Sequence, residues 1–338
     1  MIIKLDGKKA FFTFRLIVSI GIIACLITVF DWDRVTMIFT QLRVEYFWPA
    51  PFLLILSFYF AGVRWSVLLP HFGVQLKARE GFLYYLIGSF YSIILPGVIG
   101  GDLIRVGICA LIKKSSVVDI AFTALIERIF GMLVVLAVGT LAILLLPDLL
   151  RRAIGKPVTV IIFLMTAGAF LALIGGGIFF SIMHSPRFEN NNKRFDKIIK
   201  FLVRVMNKLK KIPIPIFLTV SLWSALFQTS NILAAYFLAR AINIDLPLII
   251  FFVVLPISYI ITVLPISLGG LGVREGIIAF LLSGLGVFPS DAVMFSFLIY
   301  FNWVFVSFLG GVAQLLWNPQ LGVKKVVAEA RQGAQSLR

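Results

Sequence analysis

Apolar runs separated by short, mostly basic breaks fill this chain. Phe11–Phe30 and Phe52–Leu69 come first, each close to the ~20 residues that cross a ~30 Å hydrocarbon core as helix. Ile120–Leu146, Val158–Met183, Ile216–Leu238 and Val293–Trp317 are as long or longer. The pattern therefore predicts an all-α polytopic membrane protein with about six full spans. Two regions depart from it. Phe82–Leu95 reaches only about 21 Å as helix before Pro96 and a glycine pair stop it, and Leu103–Ile112 resumes for about 15 Å. Leu246–Leu264, interrupted by Pro256, leads into a second proline–glycine break and then Ile277–Phe288. Its 19 residues are also long enough to cross alone. Half-length segments around a break predict re-entrant hairpins, which membranes tolerate only where protein or a wet cavity surrounds the backbone.

The two breaks share one spacing. Leu95–Arg105 reads L-P-G-V-I-G-G-D-L-I-R and Leu264–Arg274 reads L-P-I-S-L-G-G-L-G-V-R. Both obey L-P-x-x-x-G-G-x-x-x-R, and the second begins 169 residues after the first. This points to an internal duplication, with pseudo-repeats over about 52–147 and 216–317 inside a single membrane domain spanning 1–338. Segment parity turns the second copy upside down, so hairpin 1 enters from inside and hairpin 2 from outside. Inverted repeats with broken helices near the midplane are the usual layout of alternating-access transporters.

Composition agrees: 60% hydrophobic and 14% charged is far from a soluble domain. The formal charge of +16 lies mostly between the apolar runs, which fits cytoplasmic basic loops and argues against a nucleic-acid partner. Lys4, Lys8, Lys9 and Arg15 place the N-terminus inside, and Lys324, Lys325, Arg331 and Arg338 place the C-terminus there too. Arg151, Arg152 and Lys156 then fall outside, against the rule. The N-terminal run continues past Cys25 to Phe30, so an uncleaved first span is expected rather than a signal peptide. Segment 184–212 carries nine Lys or Arg residues, with Phe195, Ile198, Ile199, Leu202, Val205, Met206 and Leu209 at helical spacing between them. A basic amphipathic helix follows, lying either on the inner membrane surface or on the protein's own cytoplasmic face. Cys25 and Cys109 sit in apolar stretches, no His/Cys/acid cluster has metal-ligand spacing, and no G-x-x-x-x-G-K-[ST] phosphate loop occurs. Neither cofactor, metal nor catalytic domain is expected.

The chemistry sits at the breaks. Pro96 and Pro265 are hinge candidates. Gly100, Gly101, Gly269 and Gly270 open fresh helices whose unpaired N–H groups and positive dipole ends can hold an anion. Arg105 and Arg274 lie in or near the first turns, where a guanidinium can grip two phosphate oxygens. Asp102 stands three residues before Arg105, and Glu275 caps its helix or balances Arg274. Glu127 and Arg128 lie inside the run from Ile120 and, being adjacent, should address different partners, Arg105 among them for Glu127. Plainer readings stand beside these. The glycines serve close packing, the arginines snorkel or form structural ion pairs, and Glu127 with Arg128 only holds the hairpins. Trp32, Trp48, Trp65, Trp303 and Trp317 read as interfacial belts, and Arg64 as a snorkelling residue.

Ser92 with L-P-G-x-x-G-G-D-x-x-R, then E-R-x-x-G (Glu127–Gly131), then L-P-I-S-L-G-G-L-G-V-R-E-G (Leu264–Gly276), resemble the lysylphosphatidylglycerol synthase transmembrane family, also called flippase-like domain proteins. The resemblance spans nearly the whole chain, although Ser92 stands where the family often has Asn. In two-domain members the membrane part is thought to flip an aminoacylated lipid made by a cytosolic synthase domain. Because this chain ends soon after its last apolar run, a stand-alone member without that domain is expected.

The favoured reading is a lipid translocase of a bacterial-type inner membrane, multi-pass with both termini cytoplasmic. It would move an anionic or zwitterionic lipid, aminoacylated and polyprenyl-phosphate-linked lipids included. The alternative is a non-transporting membrane subunit docking a separate cytosolic or membrane-bound lipid-modifying or glycosyl-transferring enzyme through 184–212. A membrane enzyme acting on lipid phosphates through Asp102 or Glu127 is the third reading. Cysteines placed beside the two hairpins should react with a membrane-impermeant reagent from opposite compartments. Reaction of both from one side overturns the inverted arrangement.

Overall fold

The computed structural model describes residues 32–94, 100–145, 212–262 and 272–317, together with residues 17, 20–22, 24 and 28. Among them every regular element is helical: α1 (Trp32–Thr40), α2 (Val44–Phe47), α3 (Pro49–Leu68), α4 (Ala78–Ile94), α5 (Gly100–Lys113), α6 (Val117–Leu145), α7 (Ile214–Ala241), α8 (Leu248–Thr262), α9 (Val273–Gly284) and α10 (Pro289–Trp317). Four stretches of the described residues are long and apolar enough to cross a membrane: Val44–Phe72, Val117–Leu141, Ile214–Ala241 and Pro289–Leu316. They coincide with four of the six expected spans, and the chain is a multi-pass, all-α membrane protein. The expected span Val158–Met183, most of Phe11–Phe30 and all but the last residue of 184–212 lie outside the described residues.

Local sequence accounts for the helix ends. Proline opens α3, α7 (at its second position) and α10, where the missing N–H would be unpaired anyway. The chain leaves α3 through a 3-10 turn, Leu69–Phe72, closed by Gly73 in the left-handed region at φ +81°. Before α9, Gly272 has φ +84° and its N–H donates to Glu275 Oε2 at 2.8 Å. That bond satisfies one of the donors a helix start leaves open.

The four elements α3–α6 run long, short, short, long, and α7–α10 repeat the order. Lengths of 17, 14, 15 and 12 residues give the short helices α4, α5, α8 and α9 about 18–26 Å each, less than a full crossing. Which of the helices α3–α10 touch is unchanged when the halves are exchanged. α3 packs on α7; α4 packs on α10 as α8 packs on α6; α3 touches α4, α6 and α10 as α7 touches α8, α10 and α6. The short pairs α4–α5 and α8–α9 each pack internally and against the long helix that follows. At the mouth of the first pair, Lys113 Nζ at the end of α5 donates to Glu80 Oε1 in the first turn of α4 at 2.8 Å.

The expected interruption at Pro256 is absent, because α8 runs through it. A proline removes one backbone hydrogen bond, but membrane helices keep such residues where neighbours pack around the freed group. Pro256 is buried, and a Cβ at Gly139 of α6 would lie 3.4 Å from its Cβ, so α6 comes close there. Trp65 also departs from the belt reading. It is fully buried and its Nε1 donates to Thr123 Oγ1 at 2.8 Å, whereas Trp48 is 60% exposed as a belt residue should be.

Glycines set the tightest helix approaches. A Cβ on Gly62 of α3 would run into the Phe82 backbone of α4, and one on Gly310 of α10 into the Leu86 carbonyl. Small residues let membrane helices pack this closely when lipid supplies no hydrophobic drive between them. Outward faces of the long helices carry exposed Phe52, Leu141, Leu218, Phe301 and Phe308, as lipid contact requires. Gly62→Ala is expected to cost about 1–3 kcal/mol through overpacking, lowering the thermal midpoint of the purified protein in detergent. Gly276→Ala, whose Cβ would meet only Ile22 Cγ2 at 4.0 Å, should be neutral or slightly stabilising.

Candidate functional site

A cavity of about 510 Å³ lies between the halves. Arg64, Asp102, Arg105, Glu127, Arg128 and Arg274 line it, with Tyr85, Gln228, Asn231, Tyr259 and Asn302 as uncharged polar wall. Long helices deliver most of these groups, α5 brings Arg105 in its second turn and α9 brings Arg274 in its first, and Leu54, Phe58, Val135, Leu238 and Ile260 make much of the wall apolar.

Glu127 is the hub. It is 1% exposed, and a carboxylate so placed is costly unless paired and hydrogen-bonded. Oε1 accepts from Arg64 Nε at 3.0 Å, while Oε2 accepts from Arg105 Nη1 at 2.9 Å and from the Tyr85 hydroxyl at 2.8 Å. Arg64 donates onward from Nη1 to Ser224 Oγ at 3.1 Å. One carboxylate thus ties α6 to α3, α4 and α5, and through Ser224 to α7. Arg105, 3% exposed, also donates from Nε to Asp102 Oδ1 at 2.8 Å, three residues back on the same helix. Its guanidinium carbon sits 4.2 Å and 4.6 Å from the ring centres of Tyr85 and Trp65, within cation–π range. Asp102 is shared, because Arg128 donates to its Oδ2 from Nε at 2.7 Å and again from Nη2.

The second half adds one charge pair. Arg274 Nη2 donates to Glu275 Oε1 at 2.5 Å, and its guanidinium carbon lies 5.4 Å from the centre of the Tyr300 ring. Glu275, 1% exposed, therefore both balances Arg274 and caps α9 through Gly272.

Geometry separates the two motif arginines. Arg105 is enclosed by two carboxylates and two rings, whereas the Arg274 side chain keeps 19% exposure and Arg128 keeps 34%. Glu127 and Arg128 do address different partners, with Arg105 one of those of Glu127. Gly100 and Gly101 are buried but do not line the cavity. A Cβ on Gly101 would strike the Gly88 carbonyl and Ser92 Oγ, so this glycine lets α5 lie against α4. Pro96, Pro265, Gly269 and Gly270 lie outside the described residues.

Arg64 corrects a sequence expectation. It does not snorkel: it is 5% exposed and bound to Glu127, Ser224 and Tyr85. Its span continues past Leu68 through the 3-10 turn, so Arg64 lies deeper than the apolar run implied. A charge in that run was itself the signal, since ionisable residues inside a span usually face the bundle interior. Tyr85, Ser224, Gln228 and Asn302 carried no signal of that kind.

The sequence matches the family described as lysylphosphatidylglycerol synthase TM region over residues 12–311, most of its 338 residues. The chain belongs to that family. No curated protein matches it. The matched residues of this family member include both L-P-x-x-x-G-G-x-x-x-R motifs, the Glu127 network and every residue lining the cavity.

Glu127→Ala leaves buried Arg64 without a carboxylate and takes one of two from Arg105, and is expected to cost about 3–5 kcal/mol, as breaking a buried pair does. Arg105→Ala, which takes one donor from each of Asp102 and Glu127, should rank close to it. Arg128→Ala, at the more exposed end, should cost much less. Thermal unfolding in detergent measures the order, and equal losses for Arg128→Ala and Glu127→Ala would overturn it.

Proposed function

We propose that this protein is a lipid translocase that moves a phosphate-bearing lipid head between leaflets through the cavity, while the acyl chains stay in the bilayer. The single observation behind the reading is the cavity itself: four arginines against Asp102 and Glu127 in the lining and Glu275 behind Arg274, set among apolar walls between two matching halves. Such a surplus of guanidinium groups is expensive at membrane depth and marks a pathway for an anion by default. Arg128 and Arg274 are the arginines with exposure left for a ligand, and each can form charge-assisted hydrogen bonds with a phosphate. Arg105 and Arg64 then act as positioning residues that hold Asp102 and Glu127 in place.

Alternating access supplies the movement in this reading. Pairs α4–α5 and α8–α9 are half-length elements that pack against the opposite half's last long helix, and rocking one half against the other would open the cavity to each leaflet in turn. The reading places the halves inverted, the chain in a bacterial-type inner membrane, and both basic termini at the cytoplasmic face. Membrane lipids are its partners, and no chemical step on the lipid is invoked.

In proteoliposomes holding a fluorescent phospholipid, the wild-type chain should speed loss of the outer-leaflet-inaccessible signal after a membrane-impermeant quencher is added. Arg274→Ala and Arg128→Ala should each slow it about tenfold or more, the worth of a hydrogen bond to a charged group. Wild-type vesicles at the protein-free rate, or both variants at the wild-type rate, would sink the proposal.

A further inference from the structure

The short helix pairs α4–α5 and α8–α9 have matching neighbours but differ in what ties them down. Side chains bond the first pair to two long helices. Tyr85 and Arg105 donate to Glu127 of α6, Arg128 of α6 donates to Asp102, and Arg64 of α3 donates to Tyr85. Close backbone approaches add to these, since a Cβ on Gly62 of α3 or on Gly310 of α10 would overlap the backbone of α4. Moving this pair breaks buried ion pairs, which is costly where no water replaces the lost partner.

The second pair is held differently. Among the described residues, every side-chain hydrogen bond of α8 and α9 closes within the pair or its cap. Ser258 donates to the Leu255 carbonyl, Thr262 to those of Ser258 and Tyr259, and Arg274 to Glu275, while the Gly272 N–H donates to Glu275. Toward its neighbours the pair packs by apolar contact: Phe251, Val254 and Leu255 of α8 and Ile278 and Leu282 of α9 share one cluster with residues of α7 and α10. The backbone approaches are looser too. A Cβ on Gly139 of α6 would stand 3.4 Å from Pro256 Cβ, and one on Gly276 of α9 would meet only Ile22 Cγ2 at 4.0 Å. Arg274 also lies over the Tyr300 ring of α10, and a ring face sets no donor direction that sliding would break. Apolar contact between helices in lipid gains little in one position over another, so packed helices of this kind can shear.

We propose that α8–α9 is the moving element of this protein and that α3–α7 and α10 form the frame it slides against. Arg274 and Glu275 are neighbours on one helix, so the pair travels with its charge already balanced and strands no carboxylate. This rests on the translocase reading for its purpose and narrows the rocking half to two helices, because α7 is held to α3 through Ser224 and Arg64. It also divides the cavity's two most exposed arginines, with Arg128 on the frame and Arg274 on the moving pair. A phosphate that engages both favours the position in which they converge, and that differential affinity is what lets a ligand shift a conformation.

Pulsed spin–spin distance measurements on the purified full chain in lipid nanodiscs test this. Cys25 and Cys109 are replaced by alanine, and labels go on exposed positions: Phe280→Cys on α9 or Leu103→Cys on α5, each paired with Leu222→Cys on α7. The probe is dihexanoyl phosphatidic acid, which offers a phosphate and no further head group. Its addition should shift the 280–222 distribution, or give it a second peak, by more than the width of the 103–222 distribution, which should stay in place. A second α9 label, Gly284→Cys with Leu222→Cys, should move with the first and serves if Phe280→Cys fails to fold. Equal shifts of the α5 and α9 pairs would overturn the proposal in favour of both pairs rocking. A shift of α5 alone, or of neither, would overturn it outright. Lipid movement in vesicles with a stationary α9 would remove the moving pair and keep the translocase reading. A shift of α9 alone without lipid movement would do the reverse.

Discussion

A single buried carboxylate sets the terms for this bundle. Glu127 lies where water cannot solvate it, so burying its carboxylate is costly unless donors surround it. Those donors come from three other helices, at Arg64, Tyr85 and Arg105. Each donor is then fixed by a further contact: Arg64 by Ser224, Arg105 by Asp102 and by the faces of Trp65 and Tyr85. Lipid-embedded helices gain little by burying apolar surface against one another. Polar pairing and close glycine contacts therefore decide which helices meet, and both are concentrated along α3, α4 and α5.

The same arrangement divides labour among the arginines. A guanidinium held by two carboxylates and stacked between two rings is a fixed part of the wall. One with a single carboxylate partner and remaining exposure is the kind that the proposed reading assigns to an incoming anion. Arg105 is of the first kind, and Arg274 of the second. Repeats that match in sequence spacing thus diverge in use, because Glu127 of α6 has no charged equivalent in the α10 lining, where Asn302 is the polar residue. The asymmetry makes one wall ionic and the other neutral while leaving the packing symmetric.

Part of this was readable in the chain. The apolar runs mark the four described spans because hydropathy sums locally over a helix, whatever its neighbours. Asp102 and Arg105 meet because an i, i+3 spacing puts them on one helix face. The doubled motif announced two short helix pairs, and the described helices repeat the order long, short, short, long. Glu127 and Arg128 were marked by charge within a span.

Other features depended on what each side chain faces, which no local pattern carries. Trp65 and Arg64 look like interfacial residues by composition, yet both point inward because α4, α6 and α7 surround that end of α3. Pro256 looks like a break, yet the closeness of α6 at Gly139 lets the helix continue. Gly101 looks like part of an anion cradle, yet the backbone of α4 lies where its side chain would be. By itself, then, the sequence determined that this is a multi-pass helical membrane protein with a repeated, arginine-bearing motif, since chain-local hydropathy and spacing suffice for that. Only the tertiary structure decided which cavity arginines are locked and which keep exposure, because burial and pairing depend on groups brought in by other helices.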